Sequence, residues 1–241
     1  MLFRSALATL PVDAVLLLRF SPKLANMTAE TFIEQTLIAQ LSIRHLVVGD
    51  DFRFGLNRQG DFALLQRYGQ RHGFTVADTP SEIIDGERVS STRLRLALEQ
   101  GQLQQAADLL GRPYVVRGRV VHGEQRGRTL GFPTANLNLN RSNTAVRGVF
   151  AVTLTTAGGD AFAGVANVGQ RPTVCGGQRA NLEVLLFDFC GDLYGQPVEV
   201  RFHHRLRAER RFADLNELKQ QIARDAEAAR AYFLNRPETS P

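Results

Sequence analysis

Apolar and polar positions change their period near the middle of the chain. In the first half, short apolar runs alternate with stretches of helical spacing. "VDAVLLLRF" (12–20), "HLVVG" (45–49) and "FTVAD" (74–78) read as strands, the first of them buried. "TAETFIEQTLIAQL" reads as a helix opened by Thr28, and "DFALLQRYGQRHG" as a helix ending at Gly73. "SSTRLRLALEQG" begins a helix capped by Ser90 or Ser91, and "GQLQQAADLLG" is one more short helix. Alternation of this kind implies a parallel, doubly wound sheet.

Beyond Gly111-Arg112-Pro113 the pattern becomes β-rich. "YVVRGRVVHG", "GVFAVTLTT", "AFAGVANVG", "NLEVLLFDF" and "PVEVRFHHRLR" are short runs separated by glycine, proline and asparagine, which favours an antiparallel barrel or sandwich. "ADLNELKQQIARDAEAARAYFL" closes the chain as an amphipathic helix, with Asp214 near its start and Leu215, Leu218, Ile222 and Ala226 on one stripe. The expected organisation is an α/β domain over 1–110 and a β domain with a C-terminal helix over 111–241, without internal repeats.

Charge follows the same division. Residues 1–110 carry 11 basic and 12 acidic side chains, net −1, whereas residues 111–241 carry 18 and 12, net +6. Arginine supplies every cation except Lys23 and Lys219. Guanidinium groups fork phosphate in two-point contacts, so the second half suits an anionic partner; a GC-rich genome would write the same arginines. A nucleic-acid-binding barrel is disfavoured, because the strands carry few aromatic residues for base stacking. Cys175 and Cys190 match no metal or redox spacing and read as reduced thiols of a cytoplasmic protein. "AVLLLRF" is too short to span a bilayer, so no membrane association is expected.

Candidate chemistry concentrates in "RGRVVHGEQRGRTLGFPTANLNL". Gly123, Gly127 and Gly131 allow a backbone to approach an anion closely, and Arg126 and Arg128 add positive charge. The Gly-Lys-Ser/Thr ending of a P-loop is absent. Thr134 and Asn136, two residues apart, face the same way on an extended segment and offer neutral oxygens of the kind Mg²⁺ accepts. A glycine–proline turn using Thr and Asn as turn formers would account for the same residues. Glu183 interrupts the apolar run "LEVLLF"; alternation puts Leu182, Val184 and Leu186 on one face and Glu183, Leu185 and Phe187 on the other. A carboxylate there is either a paired structural charge or a reactive group.

These motifs, with "GVANVGQRPTV", "NLEVLLFDFCGDLYGQPVEVRF" and "LRAERRFADLNELKQQIARD", resemble those of riboflavin kinases, in the same order over nearly all of 112–232. "VVGDDFRFGLNRQGD" and "GERVSSTRLR" resemble the later part of an FMN adenylyltransferase module, so the whole chain resembles the bacterial bifunctional riboflavin kinase/FMN adenylyltransferases. The resemblance implies a partial Rossmann-like nucleotidyltransferase domain followed by an antiparallel β-barrel kinase domain with a C-terminal helix. It implies transfer of the ATP γ-phosphate to the riboflavin 5′-hydroxyl, with riboflavin, ATP and FMN as partners. FMN and FAD are then products, not prosthetic groups. It assigns Gly123, Arg126, Gly127, Arg128 and Gly131 to the ATP phosphates, Thr134 and Asn136 to Mg²⁺ with ATP, and Glu183 to the general base. Arg207 and Glu209 match the flavin side, although a solvated charge run before the helix explains them too. Asn167 and Arg171-Pro172-Thr173 are expected in a loop bordering the pocket.

The adenylyltransferase resemblance is incomplete. Its opening Gly-Phe-Asp-Gly-x-His-x-Gly-His loop has no counterpart around His45, His72, His122, His203 or His204. Ser90, Ser91, Thr92 and Arg93 match the module's later phosphate-binding helix start, where a plain N-cap is the alternative. The expectation is an N-terminally shortened chain that makes FMN but not FAD. The alternatives are a full bifunctional enzyme, if a preceding segment exists, and a non-catalytic flavin- or nucleotide-binding regulator. Retention of Thr134, Asn136 and Glu183 argues against the regulator, because a binder needs no base.

Overall fold

The computed structural model describes residue 7 and residues 11–122, 134–139, 144–172 and 178–235. The chain divides into two compact units, one running to Val89 and the other from Ser90.

In the first unit, a short turn of helix, α1 (Pro22–Ala25), precedes α2, which begins as Ala29–Thr31 and widens into π-type turns over Phe32–Gln40. Thr28 caps α2 by accepting from the Thr31 amide at 3.2 Å. Strand β1 (His45–Gly49), helix α3 (Phe62–His72) and strand β2 (Thr75–Thr79) follow. Helix α3 starts at the Asp61 cap and ends at Gly73, whose φ of +78° is the left-handed stop that glycine adopts without strain. The two strands pair in parallel from His45 opposite Thr75 to Gly49 opposite Thr79. Ile33, Leu37, Phe54, Leu64, Leu65 and Phe74 fill the core over them. An unpredicted hairpin, β3 (Ile83–Ile84) and β4 (Glu87–Arg88), turns through Asp85 and Gly86, both at positive φ, as tight two-residue turns require.

The strand expected over 12–20 is not formed. The segment joins no ladder among the described residues, and Leu16 and Phe20 are 59% and 82% exposed. An apolar run becomes a strand only where a neighbour takes its backbone N–H and C=O groups; among the described residues β1 pairs with β2 alone, in a two-stranded sheet.

The second unit opens with helices α4 (Ser91–Gln100) and α5 (Leu103–Leu110). The change of periodicity at 111–113 is therefore not where the packing divides. Both helices fold with the barrel: Arg205 donates to the Gln100 carbonyl at 3.2 Å and its side chain lies across Gly101, while Leu98, Leu103, Ala106 and Leu109 are buried.

Six strands then close an antiparallel barrel: β5 (Val115–Val121), β6 (Thr134–Asn138), β7 (Gly148–Thr156), β8 (Ala161–Pro172), β9 (Gln178–Leu186) and β10 (Pro197–Arg207), in the order β10-β5-β6-β9-β8-β7. Closure leaves no free sheet edge. Alternate residues point inward, and Leu137, Phe150, Val152, Leu154, Val168, Leu182, Val184 and Val200 are almost wholly buried there.

Helix α6 (Leu215–Leu234) lies on the outer face of the barrel. Asp214 caps it, accepting from the Asn216 and Glu217 amides at 2.8 Å each. Ala226, Ala229, Tyr232 and Phe233 pack on Val149, Ala151, Val165 and Phe187. Leu215 departs from the expected stripe: it is 67% exposed, because the covered stripe begins about a turn later. Arg230 stands 4.2 Å from the Phe187 ring and pairs with Asp188 at 3.0 Å, tying the helix to the end of β9. Among the described residues no helix is long and apolar enough to cross a membrane. Cys190 is exposed and free, and Cys175 lies outside the described residues.

These packing differences predict stability. Leu182→Ala should cost about 2–5 kcal/mol by urea denaturation, and Asp214→Ala about 1 kcal/mol. Leu215→Ala should stay within about 0.5 kcal/mol, as for an uncovered surface position.

Candidate active site

Strand β9 is hydrogen-bonded on both sides, to β6 and to β8, and its register decides what meets on the barrel surface. Glu183 stands opposite Asn136 on β6 and opposite Asn167 on β8. Its neighbours Leu182 and Val184 point into the core, so its carboxylate points out, half-buried. Asn181, two residues earlier on the same face, donates to Glu183 Oε1 at 3.0 Å. Cross-strand pairing extends this row from Asn167 to Val149 on β7 and on to Arg207 on β10.

Thr134 and Asn136 share the outer face of β6, as their spacing predicts. The Asn136 side-chain nitrogen lies 3.3 Å from the Thr134 carbonyl oxygen and 3.5 Å from its hydroxyl, and Asn136 is only 7% exposed. Two ligands on adjacent corners of an Mg²⁺ shell are separated by about 3 Å, given ligand distances of about 2.0–2.1 Å. The two side chains stand side by side, and their neutral oxygens are of the kind that suits a metal arriving on phosphate and keeping its waters; the amide edge facing Thr134 is the nitrogen, so an Asn136 oxygen ligand on that side requires the amide to turn over. The residues fit the group. Among the described residues no cluster of three or more His, Cys, Asp or Glu side chains is placed to hold a metal of its own.

Gly123, Arg126, Gly127, Arg128 and Gly131 lie outside the described residues, as does Thr173. The described residues on either side of those glycines and arginines are the end of β5, where Val121 is paired with Asn136, and Thr134 at the start of β6.

Asn167 is in strand β8 rather than in a loop, and β8 continues through Arg171 and Pro172. Asn167 is paired on both sides, with Val149 of β7 and Glu183 of β9, whereas residues 169–172 pair with β9 alone. Arg207 meets the barrel-covering helix: its Nε and Nη2 donate to Asp225 at 2.7–3.0 Å and its Nη1 to the Ala208 carbonyl at 3.0 Å. Glu209 is exposed and its carboxylate lies against Gly169, on the outer face of β8. Ser90 serves as an N-cap, accepting from the Arg93 amide at 3.2 Å; Ser91 and Thr92 are exposed in the first turn of α4.

Three participants were not singled out by the sequence reading. Asn181 is on the Glu183 face by simple alternation. Asp225 sits among the covered residues of α6 and is 5% exposed, the same signal of a carboxylate in an apolar pattern that marks Glu183. Gly169 opposes Asn181 and leaves room for Glu209, a pairing visible only after folding.

The assembled surface thus has a metal-capable pair, a carboxylate beside it held by an amide donor, and a further acidic side chain across β8. A riboflavin kinase family model matches residues 110–233, and an FAD synthetase model matches residues 4–93. The bifunctional riboflavin kinase/FMN adenylyltransferase of Haemophilus influenzae is 48% identical over 222 residues, covering 92% of this chain and 72% of that protein. Its counterpart in Escherichia coli (strain K12) is 48% identical over 232 residues, covering 96% of this chain and 74% of that protein. A solved structure described as a macrolide-efflux protein from Streptococcus pneumoniae superposes with a TM-score of 0.69 at 35% identity, covering 88% of this chain and 67% of that one. With both family models matched in sequence order and near-half identity along most of its length, the chain belongs to the bifunctional riboflavin kinase/FMN adenylyltransferase family.

Proposed function

We propose that the chain is an ATP:riboflavin 5′-phosphotransferase of the cytoplasm, producing FMN and ADP, with its active site on the outer face of the barrel around Glu183. The observation that carries this reading is the register that sets Glu183 directly opposite Asn136. Phosphoryl transfer needs the nucleophile, the transferred phosphate and the neutralising cation within a few ångströms of one another. Thr134 and Asn136 hold Mg²⁺ with ATP, and the cation offsets charge on the phosphates when bound. Gly123, Gly127 and Gly131 supply close backbone approach to the triphosphate, and Arg126 and Arg128 its counter-charge.

Glu183 accepts the proton of the riboflavin 5′-hydroxyl as that oxygen forms its bond to the γ-phosphorus, while the bond to the ADP oxygen breaks. Asn181 orients the carboxylate by occupying Oε1. Because the metal side lies toward β6, the alcohol approaches from the β8 side, past Asn167 and toward Glu209.

Incubation with riboflavin, ATP and Mg²⁺, followed by separation of the flavins, should yield FMN. Glu183→Gln should lower kcat by about 10²–10⁴-fold, the range of a general base; turnover within a few-fold of the parent would remove Glu183 from that role. Asn136→Ala should raise the KM for Mg-ATP while leaving the KM for riboflavin nearly unchanged. No FAD is expected from the 241-residue chain, because its histidines form no His-x-Gly-His loop. Conversion of FMN and ATP to FAD would overturn that part of the reading.

A further inference from the structure

The second unit carries a cleft to which the kinase reading assigns nothing. It holds about 760 Å³, within the range of roughly 300–1,000 Å³ that small-molecule sites occupy. Its walls come from helix α4, from Tyr114 just ahead of β5, and from residues 144–147 just ahead of β7. All of them lie in one compact unit. Strands β5 and β7 flank β10 in the closed order, and each is two strands away from β9, which carries Glu183. No residue of the kinase reading lines the cleft.

The floor is apolar and firmly held. Leu98 of α4 is 4% exposed, and Arg205 ties the end of that helix to β10 through the Gln100 carbonyl. Tyr114 accepts from the Phe202 amide through its own carbonyl at 3.1 Å. The Tyr114 ring lies 5.6 Å from that of Phe202, which meets Phe150 of the core edge-on at 5.3 Å. Val146 is buried, whereas Ala145 and Arg147 on either side of it line the cleft. The Val146 amide donates to the Thr144 hydroxyl at 3.3 Å. Gly148, at φ +118°, then sets the chain down on the Arg207 carbonyl, where a Cβ would collide.

The rim is charged and unbalanced. Arg95 of α4 and Arg147 face a single carboxylate, Glu99. Among the described residues no hydrogen bond or ion pair occupies either guanidinium, although Glu99 stands one helical turn from Arg95. Two guanidinium groups from different elements, neither neutralised, make a seat for a phosphate, which such forks grip at two points. The Tyr114 ring and Leu98 suit a flat apolar body. Glu99 can only accept, so the same ligand needs an O–H or N–H to meet it.

An anion, a flat ring system and a hydrogen-bond donor occur together in a nucleotide. We propose that this cleft is a second ligand site, which binds an aromatic phosphate monoester through Arg95 and Arg147 and is separate from the phosphoryl-transfer site. FMN and AMP both carry that chemistry. Riboflavin lacks the phosphate, and inorganic phosphate lacks the ring.

The test is equilibrium dialysis of the full chain against FMN and, separately, AMP. Riboflavin and Mg-ADP are kept at saturation to fill the phosphoryl-transfer site. A single equivalent of FMN or AMP should bind per chain, and the better of the two identifies the ring system. Arg147→Met, a change at an exposed side chain, should weaken that binding about tenfold or more, as loss of a charge-assisted contact does. Arg95→Met should do the same. Ala145→Phe narrows the cleft while keeping both charges and should also weaken binding, whereas Glu183→Gln should bind as the parent does.

Binding equal in the parent and the arginine variants, or no binding of either compound up to about 1 mM, would overturn the proposal. Inorganic phosphate bound as tightly as FMN and AMP would overturn it too, since the ring would then play no part. FMN production by Arg147→Met should stay within about twofold of the parent; a loss matching that of binding would merge the cleft with the kinase site and overturn its separateness. A parent chain that makes no FMN but binds through Arg147 would overturn the kinase reading and leave the cleft standing.

Discussion

The double pairing of β9 is the constraint on which the rest of the site depends. A strand bonded on both sides within a closed barrel cannot slide, because a slip of one residue would turn Leu182 and Val184 out to water and drive Glu183 into the core. The apolar interior and the polar exterior are thus two faces of one register. Packing of Leu137, Val168, Leu182 and Val184 inside is what holds Asn136, Glu183 and Asn167 in line outside.

On the proposed kinase reading, that arrangement separates the two halves of a phosphoryl transfer in space. Toward β6 lie the neutral oxygen donors and the anchors of the glycine- and arginine-rich segment; toward β8 and β10 lie Asn167 and Glu209. Glu183 stands between them. Helix α6 contributes twice, by covering the apolar part of the outer face with Ala226, Ala229, Tyr232 and Phe233, and by placing a buried carboxylate on Arg207. A purely apolar helix would cover the barrel equally well, so covering the barrel does not require the buried ion pair.

Local patterns were legible where local physics decides. The caps at Thr28, Ser90 and Asp214, the glycine stop at Gly73, the five apolar runs of the barrel and the outward face of Glu183 all follow from spacing and residue type. Thr134 and Asn136 were recognisable as a pair for the same reason. Non-local facts were not legible. The run 12–20 has the composition of a strand, but a strand exists only with a neighbour. The break in periodicity at Pro113 marks a change of element type, whereas the packing boundary depends on α4 and α5 folding with the barrel. The pairing of Asn136 with Glu183, the clamp on Arg207 and the seat of Glu209 on Gly169 join residues far apart in the chain, which only the closed sheet brings together.

The central claim is that Glu183 faces the reacting alcohol from the outside of the barrel. A crystal structure of the chain with riboflavin, Mg²⁺ and a non-hydrolysable ATP analogue tests it most directly. The account predicts the ribityl 5′-oxygen within about 2.6–3.2 Å of the Glu183 carboxylate, with Thr134 and Asn136 at the metal on the opposite side. A ribityl chain bound away from Glu183, or a metal held without Thr134 and Asn136, would contradict it.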